Sequence, residues 1–253
     1  MISLLSRLAS QMNNLRRRWI TMATGLPGVD SCSHVTSTMI TNAYNQFGRN
    51  PAFWGRYFTD YTTGSDCEYS ASAESSLLRN AGIKVLPIAR QTANVGGTEQ
   101  QGYTDGVKNV NDLILTFGSS KIPSAGAYFF LDVEYGTPLS AEYYFGWARG
   151  IMSTSDYVTP CIYASRSDTA TFKALEKALT DYGMGCNGLW IAGWFGSGCY
   201  SLPDWDTYSS MHTPSYSIST PVLLWQFAAY CNNMDLDEIN PNQSSLLNHL
   251  ITP

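Results

Sequence analysis

Four carboxylates stand at or beside the ends of hydrophobic segments in this 253-residue sequence. They are Asp30, Asp132, Glu134 and Asp235. Asp132 and Glu134 follow the apolar run AYFFL and lie two residues apart, so in an extended strand both side chains point to the same face. Carboxylates that meet in one site repel one another, and at least one then keeps its proton near neutral pH. A proton donor beside ionised carboxylates is what hydrolysis of a glycosidic bond requires.

A structural role for the same acids is the alternative, because acids can cap helix N-termini or pair with Arg56 or Arg90. Metal sites and histidine-based catalytic sites have less support in the sequence. The six cysteines include no C-x-x-C pair, so no metal site is predicted, although their even number permits disulfides in an oxidising compartment. The three histidines, His34, His212 and His249, are scattered and offer few candidates for a histidine-based triad.

From residue 26 onward the chain alternates short β-rich segments with longer helical ones. Several strands are apolar on both faces, which is typical of a parallel sheet covered by helices. The fold class predicted is α/β, a (β/α)8 TIM-type barrel of the usual length of about 250 residues, made irregular by the missing helix between the last two strands. The strands are predicted at Leu26–Ser31, Phe53–Phe58, Ile83–Arg90, Gly126–Glu134, Val158–Ala164, Leu189–Trp194, Val222–Phe227 and Met234–Ile239.

Barrels of this kind carry their functional residues at the C-terminal ends of the strands, where the four acids are predicted to lie. The polar segment 195–220, between the sixth and seventh strands, has no predicted structure. The helices are predicted at Val35–Phe47, from about Ser70 to Gly82, from about Thr98 to Phe117, Ser140–Ser153, Asp168–Tyr182 and Ser244–Leu250.

The predicted domain organisation is one barrel over 26–253, preceded by a basic amphipathic helical extension over 1–25. The extension carries Arg7 and the triplet Arg16, Arg17 and Arg18 with no acid, at roughly helical apolar spacing. It does not read as a secretory signal, because the basic triplet follows the apolar residues instead of preceding them. We interpret it as a helix that packs on the barrel. The alternatives are a surface-binding helix, or an element that docks to a delivery or packing partner.

The composition argues against several classes of protein. Apolar residues make up 44% of the chain and charged residues 14%, which excludes a disordered protein. The net charge of −5 argues against nucleic acid as a partner. The sequence contains no apolar run of about 18 residues, so no membrane-spanning helix is predicted. The chain is also rich in aromatic residues, 13% of the total, which suits a protein that binds sugars by stacking.

Several segments, in order, resemble glycoside hydrolase family 25, the barrel lysozymes, and more closely a related bacterial family of glycoside-hydrolase-like domains of largely unknown function. The resemblance covers about residues 26–240, and the uncharacterised relatives are also similar at Phe53–Phe58 and Gly82–Ile88. The segments that carry it are Gly28–Asp30, Phe130–Glu134, Leu189–Trp194, Leu224–Phe227 and Met234–Asp237.

Carried over by position, the resemblance implies that Glu134 is the general acid/base that protonates the leaving glycosidic oxygen. Asp132 would orient or stabilise the reacting N-acetyl group or the oxocarbenium-like centre, and Asp30 and Asp235 would complete an acidic floor. The enzymes of this family cleave the bond between N-acetylmuramic acid and N-acetylglucosamine in peptidoglycan and need no cofactor. The implied function is therefore that of a muramidase-like glycoside hydrolase.

Peptidoglycan is accordingly the expected partner, and Tyr57, Tyr135, Trp194, Trp225 and Gln226 are expected to contact it. The Ser-Cys-Ser-His segment after Asp30 departs from the pattern of a family lysozyme. Two alternatives therefore stay open: an inactive barrel that binds glycan or cell wall, and a delivered effector or cargo protein with a different glycan target. The expected location is the cell envelope, reached by a route without a recognisable signal peptide.

Overall fold

The computed structural model describes residues 24–58, 67–91 and 93–253, and the predicted extension over 1–25 lies outside them except for its last two residues. The described residues form a closed barrel of eight strands that follow one another in chain order, which confirms the predicted fold class. The strands are β1 (Pro27–Asp30), β2 (Phe53–Phe58), β3 (Lys84–Arg90), β4 (Ala127–Val133), β5 (Val158–Ser165), β6 (Leu189–Ala192), β7 (Val222–Cys231) and β8 (Met234–Ile239).

Helices cover the outside of the barrel. Across the described ranges no helix combines the length and the apolar character needed to cross a bilayer. The segment predicted as a terminal helix at Ser244–Leu250 is a 3-10 helix over Pro241–His249, and a second 3-10 turn spans Ser119–Lys121. The α-helices are α1 (Ser37–Phe47), α2 (Ala71–Ala81), α3 (Glu99–Phe117), α4 (Ala141–Thr154), α5 (Thr169–Asp181) and the short α6 (Ser209–His212).

Strand β8 departs from the parallel sheet that the sequence predicts. It runs antiparallel to both of its neighbours, β7 and β1, because a tight hairpin and not a helix joins it to β7. Its first residues therefore lie at the same end of the barrel as the last residues of the parallel strands. Asp235, the second residue of β8, pairs with Asp30, the last residue of β1, and so reaches the mouth of the barrel.

Two apolar layers fill the space inside and outside the sheet. Alternate residues of each strand point into the barrel, where Phe53, Ile88, Phe130 and Trp190 pack together. The intervening residues pack against the surrounding helices. Each strand position can therefore be assigned to the lumen or to the outer layer, and the site residues follow the same alternation.

Helices α3 and α4 cross with their backbones in contact. A Cβ atom on Gly106 would collide with Trp147 O, and one on Gly150 would collide with Tyr103 O. Glycine is required here for the close approach of the two helices and not for its backbone freedom. The glycines at this contact are Gly102, Gly106, Gly146 and Gly150.

The segment 195–220, which the sequence left unassigned, packs on the outer face of β6 and β7. The ring of Trp205 meets that of Trp225 edge to face, with centroids 6.2 Å apart, and the His212 ring lies tilted against Trp225, with centroids 5.1 Å apart. The segment takes the place of a crossover helix between β6 and β7, and none of its residues lines the three pockets at the mouth of the barrel.

A buried ion pair supports the loop that follows β1. Arg56 on the outer face of β2 donates from Nε to Glu74 Oε2 at 2.7 Å, and neither side chain is exposed. The Arg56 guanidinium also donates to the carbonyl oxygens of Ser31 and Cys32, just beyond β1. Glu74 in turn accepts from Val35 N, two residues before α1. These bonds hold the β1–α1 loop at the edge of the mouth, so Arg56 pairs with Glu74 and not with the acids of the mouth.

We predict that Arg56→Gln or Glu74→Gln lowers the free energy of unfolding by about 3–5 kcal/mol, because each change leaves an uncompensated buried partner. Urea unfolding followed by circular dichroism measures it. The exposed pair of Lys177 and Glu142, 3.0 Å apart, is the matched control, and Lys177→Gln should change stability little. Equal effects at the two pairs would contradict the structural role of Arg56.

Candidate active site

The four predicted acids meet at the mouth of the barrel. Asp30 ends β1, Asp132 is the penultimate residue of β4, Glu134 stands one residue beyond β4, and Asp235 is near the start of β8. Asp30 and Asp132 are buried, whereas Glu134 is exposed at the rim. All four line one central pocket of about 140 Å³, together with Tyr57, Tyr163 and Trp194.

Two further pockets continue the central pocket in opposite directions and form a groove with it. The β5–β6 pocket, about 360 Å³, is lined by Tyr135, Ser165–Ser167 and Gly193. The β1–β3 pocket, about 440 Å³, is lined by Ser31–Ser33 and Arg90. Glu134 lines all three pockets, so it stands at the centre of the groove.

The side-chain amide of Gln226 connects the acids to the groove wall. Its Nε2 donates to Asp30 Oδ2 at 2.8 Å and to Asp235 Oδ2 at 3.4 Å. Its Oε1 accepts from Trp194 Nε1 at 2.7 Å and from Tyr163 OH at 2.8 Å. The indole nitrogen can only donate, so it fixes which end of the amide faces the carboxylates. Gln226, predicted as a glycan contact, is almost completely buried and positions other residues.

Burial raises the pKa of both acids on the Gln226 side of the floor. The pKa of Asp30 lies well above its usual value, first because of desolvation and then because of the charge of Asp235, and the bond from Gln226 opposes the shift. Desolvation also raises the pKa of Asp235, but Tyr230 N donates to Asp235 Oδ1 at 2.8 Å and favours the ionised form. Of these two acids, Asp30 therefore holds a proton more readily.

Asp132 and Glu134 share the influence of Arg90, the last residue of β3. Burial, followed by the charge of Glu134, raises the pKa of Asp132 to about 8, and Arg90 opposes this shift. Desolvation by the groove walls raises the pKa of Glu134 as well, again against Arg90, while the charge of Asp235 raises it further. Arg90 stands beside Asp132 in the sheet, and its guanidinium lies 5.8 Å from the ring centroid of Tyr57. Sequence reasoning assigned Arg90 no role in the chemistry.

The site includes a fifth acid that the sequence-based site lacks. Asp237 lies two residues after Asp235 and is fully buried in the lumen beneath Asp30. Trp190 Nε1 donates to its Oδ1 at 3.0 Å, and the Asp237 and Asp30 carboxyl groups form a hydrogen bond with each other when one of them carries a proton. Desolvation, then the charge of Asp30, raises the pKa of Asp237 well above its usual value. The period-2 alternation along β8 is the signal that could have found it.

The predicted aromatic contacts divide into two groups. Tyr57, Tyr135 and Trp194 line the groove, and the last two are 72% and 46% exposed. Trp225 does not reach the groove, contrary to the prediction that it contacts the glycan. It is fully buried in the outer layer, and its Nε1 donates to Gly193 O at 2.9 Å. Tyr230, which sequence reasoning missed, adds a rim aromatic that is 75% exposed, at a residue with φ of 62°.

Two disulfides stand beside the mouth. Cys32–Cys67 joins the loop after β1 to the residues before α2, and Cys199–Cys231 joins the segment after β6 to the β7–β8 hairpin. Cys161 and Cys186 are free. In the part of the chain that the structure describes, no group of three or more histidine, cysteine or acidic side chains is arranged to hold a metal ion.

No protein-family model and no curated protein matches the sequence. Solved structures of other proteins share the fold. An uncharacterised protein of B. stearothermophilus has a TM-score of 0.66 at 21% identity, over 89% of this chain and 100% of that one. The Tat-secreted protein Rv2525c of Mycobacterium tuberculosis has a TM-score of 0.52 at 15% identity, over 86% and 95%. The spore cortex lytic enzyme SleM of Clostridium perfringens has a TM-score of 0.53 at 15% identity, over 88% of this chain and 69% of that enzyme. At these identities the likeness establishes a shared barrel fold.

Proposed function

We propose that this protein is a muramidase-like glycoside hydrolase that cleaves the glycan chain of bacterial peptidoglycan. The observation that carries the proposal is the place of Glu134 in the groove. It lines the central pocket and both flanking pockets, above a floor that includes Asp30, Asp132 and Asp235. A linear polymer lying along this groove passes one of its glycosidic bonds over the Glu134 carboxyl group.

Glu134 acts as the proton donor in this proposal. Its pKa is already raised in the free protein, and a bound glycan displaces the remaining water and raises it further. Its proton passes to the glycosidic oxygen, the bond from that oxygen to the anomeric carbon breaks, and the leaving sugar departs with a hydroxyl group. The Glu134 carboxylate then takes a proton from water, whose oxygen bonds to the anomeric carbon.

The floor of the groove stabilises the positive charge that develops on the reacting sugar. Asp235 suits this role, because the hydrogen bond from Tyr230 N favours its ionised form. Asp132, beside Glu134 on the same face of β4, suits contact with the N-acetyl group. Two routes to the intermediate are compatible with this floor: attack by a carboxylate, or attack by the acetamide oxygen of the substrate itself.

The groove walls fit a chain of sugar rings. Trp194 and Tyr230 present exposed rings at the central pocket, and Tyr57 completes its wall. Tyr135 presents an exposed ring at the β5–β6 pocket. The indole N–H of Trp194 is held by Gln226, so the ring has a fixed orientation before substrate arrives. A wall that is ordered in advance loses little side-chain entropy when a sugar stacks on it.

The proposal places the protein outside the reducing cytoplasm, exported or delivered to the cell envelope. Two disulfides of the described region support this location, since such bonds persist in oxidising compartments. The fold neighbours add support: one is by name a spore cortex lytic enzyme and another is by name Tat-secreted.

Replacement of Glu134 by glutamine tests the proposal. We expect Glu134→Gln to lower the release of muropeptides from purified cell wall by about 10²–10⁴-fold, because glutamine has the size of the acid but no proton to give. Glu142→Gln, an exposed change of the same kind on α4, should keep full activity. Equal product from wild type and Glu134→Gln would refute the role of Glu134. Saturable binding of wall without product from either protein would identify a binding module instead.

Two substitutions with opposite electrostatic effects test the protonation state of Glu134. Activity requires the protonated form, so kcat/KM falls as the pH rises through the pKa of Glu134 in the free enzyme. Arg90 lowers that pKa and Asp235 raises it. Arg90→Gln should therefore move the alkaline fall in kcat/KM to higher pH, and Asp235→Asn should move it to lower pH. Profiles that shift in the same direction, or that do not shift, would contradict the assignment.

A further inference from the structure

We propose that the β5–β6 pocket recognises a carboxylate carried by the glycan, and that Arg166 is the residue that binds it. The inference rests on the proposed function, because it names a chemical feature of the substrate in the same groove. Arg166 follows β5 directly and lines this pocket with Ser165 and Ser167, on the side of Glu134 away from Arg90.

The backbone of Arg166 is anchored from both sides. Its N–H donates to Ala192 O at 2.9 Å, and its carbonyl oxygen accepts from Ser215 N at 2.7 Å. The neighbouring Gly193 allows the side chain to pass: a Cβ atom there would lie 3.0 Å from Arg166 Cδ and would collide with Met211 O. The stem of the arginine is therefore held in a channel beside β6.

The guanidinium of Arg166 has donors left for a ligand. One nitrogen, Nη1, donates to Ser210 O at 2.9 Å, which orients the planar group. No carboxylate of residues 24–58, 67–91 and 93–253 forms an ion pair with it. A guanidinium has five N–H groups in a rigid fork, and it matches a carboxylate with two parallel bonds. An exposed, oriented arginine in a pocket of about 360 Å³ is suited to receive such a group.

The distribution of charge along the groove gives the pocket its selectivity. The central pocket contains Asp30, Asp132, Glu134 and Asp235, so an anion placed there is repelled. The β5–β6 pocket contains one acid, Glu134 at its inner edge, and the cation Arg166, with two serine hydroxyl groups beside it. The β1–β3 pocket also contains a cation, Arg90, but three of the acids line it as well. A negatively charged substituent is therefore directed outward from the cleavage point toward Arg166. A neutral glycan gains nothing from this arrangement.

Two groups within peptidoglycan can supply a carboxylate to Arg166. One is the acidic substituent of the sugar itself, and the other is a carboxylate of the attached peptide. Both present the same chemistry to Arg166. Glycan chains with and without peptide distinguish them, and oligomers of N-acetylglucosamine lack both.

The experiment compares Arg166→Gln with Arg149→Gln on these three glycans. Arg149 is an exposed arginine on α4, paired with Glu99 at 2.6 Å, so its replacement changes the net charge equally away from the groove. We expect Arg166→Gln to raise KM about tenfold for glycans that carry a carboxylate, with kcat much less affected, and to leave binding of the neutral oligomer unchanged. Arg166→Lys should give an intermediate KM, because it keeps the charge but loses the fork.

Loss of the effect on peptide-free chains would assign the carboxylate to the peptide, and persistence would assign it to the sugar. Binding is measured in parallel by calorimetry with Glu134→Gln as the background, so the inference can be judged even if hydrolysis is absent. Equal weakening on charged and neutral glycans, or no change on either, would overturn the role of Arg166. Absence of product from the wild type would count against the proposed function alone.

Discussion

The site depends on one buried amide. The two N–H groups of Gln226 face the carboxylates of Asp30 and Asp235, and its oxygen accepts from Trp194 and Tyr163. The hydrogen-bonding capacity of the side chain is thus fully used, which stabilises a buried polar group that would otherwise be costly. A neutral amide also differs from a cation in its effect on the floor. It holds the carboxylates in place without adding a positive charge, so burial, followed by repulsion from Asp235, keeps the pKa of Asp30 raised.

The reversed strand explains how the acids come together. In a fully parallel barrel the early residues of β8 would lie at the end opposite the groove. The hairpin after β7 brings Asp235 to the mouth instead, next to Asp30, and places Asp237 one layer deeper. The same hairpin carries Tyr230, whose N–H bonds Asp235 and whose ring stands at the rim. A short connection therefore supplies part of the floor and part of the wall.

The sequence predicts the strands and the acids of the mouth well, because apolar runs of β-rich residues are strong local signals and a polar residue at their ends stands out. It predicts less well what depends on which face a residue occupies. Trp225 and Gln226 are neighbours in β7, so they cannot both face the lumen, and the lumen position belongs to Gln226. The direction of β8 follows from its connection to β7, which is too short for the crossover that a parallel strand needs, a local signal that sequence reasoning did not use. The role of Arg90 depends on its pairing with β4, which no local pattern contains. The glycines of α3 and α4 recur at every fourth residue, but only the contact between the two helices explains them.

Rigidity of the rim follows from bonds that lie outside the groove itself. A core of this size does not need disulfides for its stability, yet Cys32–Cys67 and Cys199–Cys231 tie down loops on two sides of the mouth. The Arg56–Glu74 pair fixes the β1–α1 loop from beneath, and the segment 195–220 holds Arg166 through Ser210 and Ser215. The floor needs such fixed walls, because water that entered between them would solvate Asp30 and Asp132 and lower the pKa of each toward its ordinary value. The loop anchors and the protonation of the buried floor are therefore parts of the same electrostatic arrangement.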